Sequence, residues 1–398
     1  MTSTGKPLKI LIVTQFYHPD VTACAFRMHE TAQLLSKMGC EVSVVAGVPH
    51  KGTVEGTGIN DGNVKVTRVD MVKYTGGGKW NYILHYLSFM WNAIKAGSAL
   101  EGPFDVVWAS SPPLFTGIAG QIIASKKNAR FCLDIRDIWP ESAVVAGQLS
   151  ADSPMFKAAK MVEKWLYGKA NLITCVSKPM AEYIKGICEK TPEVIYNAVP
   201  ASMVSDAVVP VETSPEPLTI LYVGNMGRVQ NLPLVAEAAK ILAEKGEKRI
   251  KFKLVGDGAV KAEFVKLVND YKLNNVEIGD LVSKETAIDM VKHSHALMLH
   301  LKDDGTMAKT IPSKLFDYMA AGRPILYGLQ GEACEILGTD EGNLAYNADD
   351  ATSLASQAEY LLANYNELTQ KAAANHTKLK ERFLRDKMVE KLLTAISN

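Results

Sequence analysis

Short apolar, β-branched runs alternate with amphipathic helical periods along almost the whole chain. This alternation is typical of α/β proteins, in which helices cover both faces of a parallel sheet. The runs in the first half predict strands at residues 9–14, 42–47, 64–69, 105–109, 130–135 and 171–176. The pattern starts afresh later, with predicted strands at residues 218–223, 250–255, 275–278, 296–301 and 324–327.

One segment interrupts the alternation. Residues 199–217 are rich in Pro, Ser, Val and Thr and have no helical period, which is linker composition. A chain of 398 residues also exceeds one ordinary core. We therefore predict two Rossmann-like domains, 1–199 and 218–375, joined by a linker at 200–217. A tail helix, 376–398, is expected to pack back on the N-terminal domain. Doubly wound sheets bind ligands outside the carboxyl ends of their strands, so the cleft between the two sheets is the expected active site.

Charge and cysteine usage exclude some classes of protein. The chain carries 44 Lys and Arg against 43 Asp and Glu, which argues against a dedicated nucleic-acid binder. Residues 1–198 have a net charge of +5 and the remainder −4, so the first half suits an anionic partner or a membrane surface. The six cysteines have no zinc or redox spacing, and no segment approaches the ~20 apolar residues of a spanning helix. A cytoplasmic protein is expected.

Two glycine turns in the second half predict phosphate chemistry. The run after the strand at 218–223 contains Gly224, Gly227 and Arg228, where backbone amides and a guanidinium can approach an anion. Gly256 and Gly258 form a second predicted glycine turn, after the next strand. Neither stretch completes a dinucleotide fingerprint, so a nicotinamide or flavin enzyme is a poor fit. The alternative is a pair of plain turns.

A sharper signal follows at residues 309–324. Pro312 and Ser313 are expected to open a helix with Lys314 in its first turn, a seat for a diphosphate. Lysine there opposes the helix dipole unless an anion is near, which favours a binding role. Asp317, one turn on, could accept hydrogen bonds from sugar or ribose hydroxyls. The alternative is a capped surface helix with both side chains solvated.

The first half offers candidates for catalysis. Arg136, Asp137 and Glu141 follow a strand, where a carboxylate could act as a base or stabilise a developing cation. The alternative for them is an Arg136–Asp137 ion pair, with Asp134 or Glu141 capping a helix.

Two further features of the first half concern other partners. Tyr17, His18, Thr22 and Arg27 are expected at the same sheet edge as acceptor-binding residues. No histidine has metal-ligand spacing, so no metal site is expected. Residues 79–95 are rich in large apolar side chains, with Trp80 and Trp91 among them. They predict an in-plane membrane helix or a groove for a lipid acceptor, and the alternative is a buried helix.

Together these stretches resemble the retaining GT-B glycosyltransferases of family four, in the branch that builds bacterial surface polysaccharides such as capsule, O-antigen and colanic acid. This branch includes N-acetylfucosaminyl transferases. The resemblance rests on residues 136–142, 224–230, 255–258 and 312–324. It implies a donor site formed by Gly224, Asn225, Gly227, Arg228, Gln230, Gly256, Gly258, Lys309, Pro312, Ser313, Lys314, Leu315 and Asp317.

The chain departs from the family pattern at several of these positions. Asn225 falls where many members have Arg, and Gln230 where many have Lys. In the paired-glutamate motif, Asp317 falls at the second acid and Lys309 at the first.

The resemblance also implies a reaction. A sugar, such as the N-acetylated deoxyhexosamine FucNAc, would pass with retention from UDP to a polyprenyl-diphosphate-linked saccharide. The donor's own β-phosphate would help to remove the acceptor proton, with no metal or cofactor, at the inner face of the cytoplasmic membrane. The alternatives are a non-hydride UDP-sugar epimerase of the same architecture, an inactive scaffold on this fold, and a two-lobed solute-binding protein.

Overall fold

The computed structural model describes residues 6–49, 61–73, 79–210 and 216–398. The chain divides into two compact units. The first comprises Met1–Val144, Gln148–Asn197 and Arg385–Asn398, and the second comprises Val145–Gly147 and Ala198–Leu384. Five residues of the expected linker, 211–215, lie outside the described part of the chain.

Each unit is built on one parallel sheet. The strands are β1 Lys9–Thr14, β2 Glu41–Gly47, β3 Lys65–Val69, β4 Val106–Ser111, β5 Arg130–Ile135, β6 Leu172–Cys175, β7 Glu193–Val194, β8 Leu218–Val223, β9 Ile250–Val255, β10 Val276–Gly279, β11 Ala296–His300, β12 Ile325–Gly328 and β13 Leu344–Ala345. Their order is β3-β2-β1-β4-β5-β6-β7 in the first unit and β10-β9-β8-β11-β12-β13 in the second. The predicted fold class, two Rossmann-like α/β domains, is confirmed.

Helices connect the strands. They are α1 Ala23–Lys37, α2 Lys79–Ala99, α3 Leu114–Lys127, α4 Glu141–Val145, α5 Pro154–Lys169, α6 Lys178–Cys188, α7 Pro233–Glu244, α8 Lys261–Asp270, α9 Lys284–Lys292, α10 Lys314–Ala321, α11 Glu332–Leu337, α12 Ala351–Ala363, α13 Tyr365–Arg382 and α14 Arg385–Ser397. Among the described helices, none has both the length and the hydrophobicity needed to cross a bilayer.

The central strand β1 shows why the first unit is covered on both faces. Its side chains alternate, so Leu11 and Val13 join the core under α2, α3, α5 and α6, while Ile10 and Ile12 join the core under α1 and α14. Both sets are fully buried. A strand that is apolar at consecutive positions therefore needs a helical layer on each face.

A buried ion pair lies between helix α1 and strand β5 in the first unit. Arg27 donates to both carboxylate oxygens of Asp134, at 2.6 and 3.2 Å, and the two side chains are 4% and 0% exposed. Ser110 and Thr174 donate further hydrogen bonds to the same carboxylate. The charge of Asp134 is thus fully satisfied in a place where an unpaired charge would be very costly.

Part of the linker segment is bound to the second unit. The guanidinium of Arg323 is 1% exposed and donates to the carbonyl of Val209 at 2.6 Å. His376 Nε2 lies 2.9 Å from the carbonyl of Ser205. The composition of this segment predicts a flexible connector, whereas its backbone carbonyls are held by buried side chains.

The predicted tail helix is two helices in the structure. Helix α13 ends at Arg382, and the ring of its C-cap residue, Phe383, is buried against Phe316 at 5.1 Å between centroids. The next residue, Leu384, forms a parallel bridge with Val199. This backbone pairing interrupts the helix, so residues 376–384 belong to the second unit and α14 to the first. Helix α14 packs on α1 through Val389, Leu392 and Ile396.

Replacement of Arg27 by Met should destabilise the first unit by about 3–5 kcal/mol, because the carboxylate of Asp134 would be left buried without its cation. The free energy of unfolding in urea measures this loss. In the double variant with Asp134→Asn most of the stability should return, since no uncompensated charge is then left in the core. A stability loss of under 1 kcal/mol for Arg27→Met would contradict the argument.

Candidate functional site

Two glycine loops meet at the carboxyl edge of the second sheet. Strands β8 and β9 are neighbours and end opposite each other at Val223 and Val255. Beyond them, Gly224 N donates to Val255 O at 2.8 Å and Met226 N donates to Asp257 O at 2.8 Å. A Cβ on Gly256 would lie 1.9 Å from the carbonyl oxygen of Gly224, and the φ of Gly256 is +152°. Only glycine permits this approach.

The backbone amides of the four loop glycines already donate hydrogen bonds within the protein. Gly227 N donates to Gln230 Oε1 at 3.0 Å, and Gly258 N donates to Asp257 Oδ1 at 2.9 Å. Gly256 N donates to Gly279 O. We predicted that loop amides at Gly224 and Gly227 would approach an anion, but in the structure the Gly224 amide binds the neighbouring strand end and the Gly227 amide closes its own loop. The cationic side chains beside them are the donors that a ligand could use.

Lys314 lies directly over the first loop. Its ammonium donates to Tyr222 Oη at 2.6 Å and lies 3.9 Å from the centroid of the same ring. A Cβ on Gly224 would lie 2.4 Å from Lys314 Cε, so the glycine leaves room for the lysine stem. Helix α10, which carries Lys314, is fixed to the sheet edge because Tyr318 Oη accepts from Val223 N at 3.0 Å.

The surroundings of Lys314 lower its pKa to about 7, because burial of the ammonium outweighs the opposing attraction of Asp317. The π-face and hydroxyl of Tyr222 do not neutralise the lysine charge. An ammonium that is desolvated and lacks a carboxylate in direct contact is a strong attractor for an anion.

The other predicted donor-site residues in the first loop differ in exposure. Arg228 is exposed, and no hydrogen bond or ion pair of its side chain occurs within the described residues. Gln230 folds back onto the loop and accepts from Gly227 N, with Asn225 Nδ2 3.5 Å away. Arg228 is therefore available to a ligand, whereas Gln230 stabilises the turn.

The predicted donor-site residues around α10 have four different settings. Lys309 Nζ donates to Gly305 O at 2.5 Å, which closes its own short turn. Leu315 is fully buried, so its side chain is part of the core. Pro312 and Ser313 precede the helix, and Pro312 O accepts from Leu315 N at 3.0 Å. Asp317 is exposed one turn beyond Lys314.

In the first unit, Asp137 follows strand β5 and has unusual electrostatics. Its Oδ1 atom is buried and has no hydrogen-bond partner. Burial raises the pKa of this carboxyl, although the Ser142 hydroxyl and the Arg136 charge offset part of the effect. Arg136 instead donates to Ser110 Oγ at 2.6 Å and to Pro112 O at 2.9 Å. The alternative of a direct Arg136–Asp137 ion pair is thus not what the structure contains.

Glu141 belongs to a polar network between α4, α5 and α6. Its Oε1 accepts from Lys160 Nζ and from Tyr183 Oη, each at 2.7 Å. Lys160 also binds Glu163, which is 0% exposed and accepts from Tyr167 at 3.0 Å. The network holds the carboxyl of Glu141 in place, and it supports the segment that carries Asp137.

Three of the predicted acceptor-binding residues have structural partners. Arg27 is bound to Asp134, as described above. Thr22 is the N-cap of α1, and its hydroxyl accepts from Ala25 N at 3.1 Å. Tyr17 is fully buried, and the guanidinium of Arg68 lies 5.4 Å from its ring centroid. Their side chains hold the loop after β1 in shape, and we do not carry Arg27 and Thr22 forward as ligand contacts.

His18 has neighbours that the sequence does not reveal. Its ring stacks on His29 at 4.7 Å, and His29 Nδ1 lies 3.6 Å from Asp61 Oδ1. One ligand atom from each of these three residues lies within 4.8 Å of the others. The set is of a type that could hold a metal ion, although Arg68 places a positive charge beside it. Burial lowers the pKa of Arg68, and the carboxylate of Asp61 opposes this effect.

Helix α2 is both a core helix and a surface helix. Phe89, Met90 and Ile94 are buried, while Leu84 and Trp91 are 49% and 63% exposed. The side chains of Trp80 and Tyr82 lie outside the described part of the structure. The buried side chains confirm a core role for one side of the helix, and the membrane interpretation of residues 79–95 stays a prediction for the other side.

Sequence reasoning missed the residues that position the site. Tyr222 and Tyr318 hold Lys314 and α10, and Lys160 and Tyr183 hold Glu141. A tyrosine at the end of a buried strand was a usable signal at Tyr222, because its hydroxyl needs a polar partner. Nothing in the local sequence indicates the other partners, which lie up to 95 residues away.

Comparison with known proteins shows which protein families the two parts of the chain match. The model of the family "Glycosyltransferase Family 4" matches residues 25–202, and that of "Glycosyl transferases group 1" matches residues 208–379. Among solved structures, HepE of Anabaena in complex with UDP and glucose has a TM-score of 0.72 at 14% identity, covering 98% of this chain and 99% of that one. Sucrose-phosphate synthase from Thermosynechococcus elongatus has a TM-score of 0.76 at 14% identity, covering 97% and 98%. Two glycosyltransferase family models thus match successive parts of the chain, and the chain has the two-domain fold of these solved structures.

Two relatives of known name are similar to this chain in sequence. The probable glycosyltransferase WbjE of Pseudomonas aeruginosa is 23% identical over 290 residues, 68% of each chain. The putative colanic acid biosynthesis glycosyl transferase WcaI of Escherichia coli (strain K12) is 24% identical over 358 residues, 82% of this chain and 86% of that one. This protein is thus similar to two proteins named as glycosyltransferases, one of which is named for colanic acid biosynthesis.

Proposed function

We propose that this protein transfers a sugar, with retention of anomeric configuration, from a UDP-sugar to a polyprenyl-diphosphate-linked saccharide in the synthesis of a bacterial surface polysaccharide. The donor sugar proposed is an N-acetylated deoxyhexosamine such as FucNAc. The observation that carries the proposal is Lys314, a desolvated cation against Tyr222 at the edge of the second sheet. A nucleoside diphosphate carries at least two negative charges and could therefore supply the counter-charge for Lys314.

The relatives support the same assignment. WcaI is named for colanic acid biosynthesis, and the HepE structure contains UDP and glucose. We extend the nucleotide of that neighbour to this chain because the two share a fold and because the edge of the second sheet is cationic. The second unit would then hold the donor, and the first unit would bind the acceptor.

Two side chains would bind the diphosphate. Lys314 would release the hydroxyl of Tyr222 and turn to the phosphates, and exposed Arg228 would add a fork of donors. Both charges would stabilise the UDP leaving group as the bond to the sugar breaks. Because these cations supply the counter-charge, the proposed reaction needs no metal and no cofactor.

Asp137 would serve the acceptor. Its carboxyl has a raised pKa and an unpartnered buried oxygen, so it can accept a hydrogen bond from an acceptor hydroxyl or stabilise oxocarbenium-like charge. The donor's β-phosphate would take the hydroxyl proton on the face from which UDP departs. Attack on that same face gives retention. His18 would contact the acceptor from the loop after β1.

The function is tested by a panel of UDP-, GDP- and TDP-sugars, each incubated with and without a polyprenyl-diphosphate-linked saccharide. The anomeric configuration of the product is read by NMR. Transfer from a UDP-sugar with retention is expected. Turnover of the nucleotide sugar without acceptor would instead identify an epimerase, and inversion would refute the proposed mechanism.

Alanine at Lys314 or at Arg228 should each weaken binding of a UDP-sugar by about 1.5–3 kcal/mol, or roughly 10- to 150-fold, because each removes a charge-assisted contact. Isothermal titration calorimetry measures both. Arg382→Ala is the matched control, since Arg382 is an exposed arginine of the same unit. Unchanged binding in both variants would exclude the diphosphate site.

Binding should depend on pH through Lys314. The pKa of this amine is about 7 in the unliganded protein, and a bound diphosphate would raise it. Binding then takes up a proton above pH 7, and the affinity falls by up to about tenfold per pH unit as the pH rises. Titration of UDP-N-acetylglucosamine in buffers of different ionisation enthalpy measures the proton uptake.

Lys314→Arg provides the control for this pH profile, because a guanidinium stays protonated over the whole range. The variant should bind with little change between pH 7 and pH 9. An affinity of the wild-type protein that is constant across that range would contradict the lysine assignment.

Asp137→Asn should lower kcat by about 10²–10⁴-fold while the donor affinity stays unchanged, because the amide cannot stabilise a developing positive charge. Steady-state kinetics with a saturating donor measures the effect. Asp70→Asn, the same change at an exposed aspartate of the first unit, should leave kcat unaltered. Full activity of the Asp137 variant would reduce this carboxyl to a structural role.

A further inference from the structure

Helix α5 exposes large apolar side chains to solvent. Met155, Met161 and Trp165 are 40%, 73% and 40% exposed, and all three lie within one helix of the first unit. A cap fixes the start of this helix, because Ser153 Oγ accepts from Phe156 N at 3.1 Å and Pro154 occupies the first turn. The helix is thus well formed, and its apolar exterior is not the result of a frayed end.

The exposed residues form one stripe. Pro154, Ala158, Met161 and Trp165 are all exposed and are spaced by four, three and four residues, which aligns them along a single face of the helix. The opposite face, with Ala159, Glu163 and Leu166, is buried in the first unit. The helix therefore has two apolar faces. One face packs in the first unit, and the other is exposed.

Lysines flank the stripe. Lys157, Lys164 and Lys169 are exposed, and none of them has a salt bridge within the described residues. The acid of this helix, Glu163, is fully buried and bound by Lys160 and Tyr167. The outward face of α5 consequently carries positive charge only.

The neighbouring helices extend the apolar surface. Helix α3 packs against both α2 and α5. Its outer residues Phe115, Ile118 and Ile122 are only partly buried. On α2, Leu84 and Trp91 are exposed. An apolar layer with lysines along α5 therefore belongs to one face of the first unit.

We propose that α5 is a docking surface for an anionic lipid bilayer, with the stripe of Met161 and Trp165 in the headgroup region and the three lysines on lipid phosphates. This arrangement is that of an in-plane helix, apolar at its centre and basic at its edges. The inference deepens the proposed function, on which it rests for the reason a bilayer is needed, because a polyprenyl-linked acceptor lies in a membrane.

The positive charge of α5 favours an anionic bilayer over a second copy of the chain as the partner of this surface. In a two-fold contact through α5, Lys157, Lys164 and Lys169 of one copy would face the same lysines of the other. Such a contact would bring like charges together as it buries the stripe. An anionic membrane surface complements the same charges.

The experiment is sedimentation of the full-length protein with vesicles of phosphatidylcholine, alone or mixed with phosphatidylglycerol. Binding is expected to the mixed vesicles and to weaken with salt. The triple variant Lys157→Gln, Lys164→Gln and Lys169→Gln should reduce the partition coefficient on the order of a hundredfold, at about fivefold for each lysine. Met161→Ser combined with Trp165→Ser should reduce it by more than about tenfold.

Matched controls come from the second unit. Leu281→Ser changes another exposed apolar residue, and Lys248→Gln, Lys251→Gln and Lys266→Gln together remove the same amount of charge. Both control proteins should bind vesicles like the wild type. Circular dichroism and the affinity for UDP should be unchanged in all variants, which separates the loss of docking from a loss of folding.

Three outcomes would overturn the inference. One is that wild-type protein does not bind mixed vesicles, and another is that the α5 variants bind as well as the controls. The third is a wild-type dimer that the Met161 and Trp165 changes convert to a monomer, which would assign the stripe to a second copy. Vesicle binding without any sugar transfer would refute the proposed function alone, and transfer to a short-chain acceptor without vesicle binding would refute only the docking surface.

Discussion

The close contact between two glycine loops determines the shape of the carboxyl edge of the second sheet. The carbonyl of Gly224 occupies the space that a Cβ on residue 256 would need, so these loops can meet only through glycine. The amides of Gly224 and Met226 join the loops, and those of Gly227 and Gly258 donate within their own loops. An anion at this edge would be bound by side chains, and Lys314 reaches the edge because Gly224 leaves room for its stem.

The buried charges of the two units are handled differently. In the first unit, Arg27 and Asp134 neutralise each other, and Lys160 forms ion pairs with both Glu141 and Glu163. Those charges are satisfied within the protein and stabilise it. Lys314 rests on a tyrosine instead, and its pKa is lowered to about 7. A charge that folding leaves without a counter-ion is the one that a ligand can neutralise, and this contrast separates structural polar residues from the site.

The sequence predicted the secondary structure better than the roles of single polar residues. Each predicted strand is present within one or two residues of its expected bounds, and only the two-residue strands β7 and β13 went unnoticed. Arg27, Thr22 and Glu141 were assigned to chemistry, but they hold an ion pair, a helix cap and a buried network. The reason is distance along the chain, because Asp134 lies 107 residues beyond Arg27 and no local pattern joins them.

By itself, the sequence determined that the chain forms two parallel-sheet domains with glycine turns at the carboxyl edge of the second, because alternation and glycine are local properties of the backbone. It also determined that lysine opens α10. Only the tertiary structure decided which charges are buried, which are neutralised and which face solvent. Those outcomes depend on side chains brought together from distant segments, and on the desolvation that they impose on one another. The lysines and apolar residues of α5 became a surface only when the rest of the helix was buried.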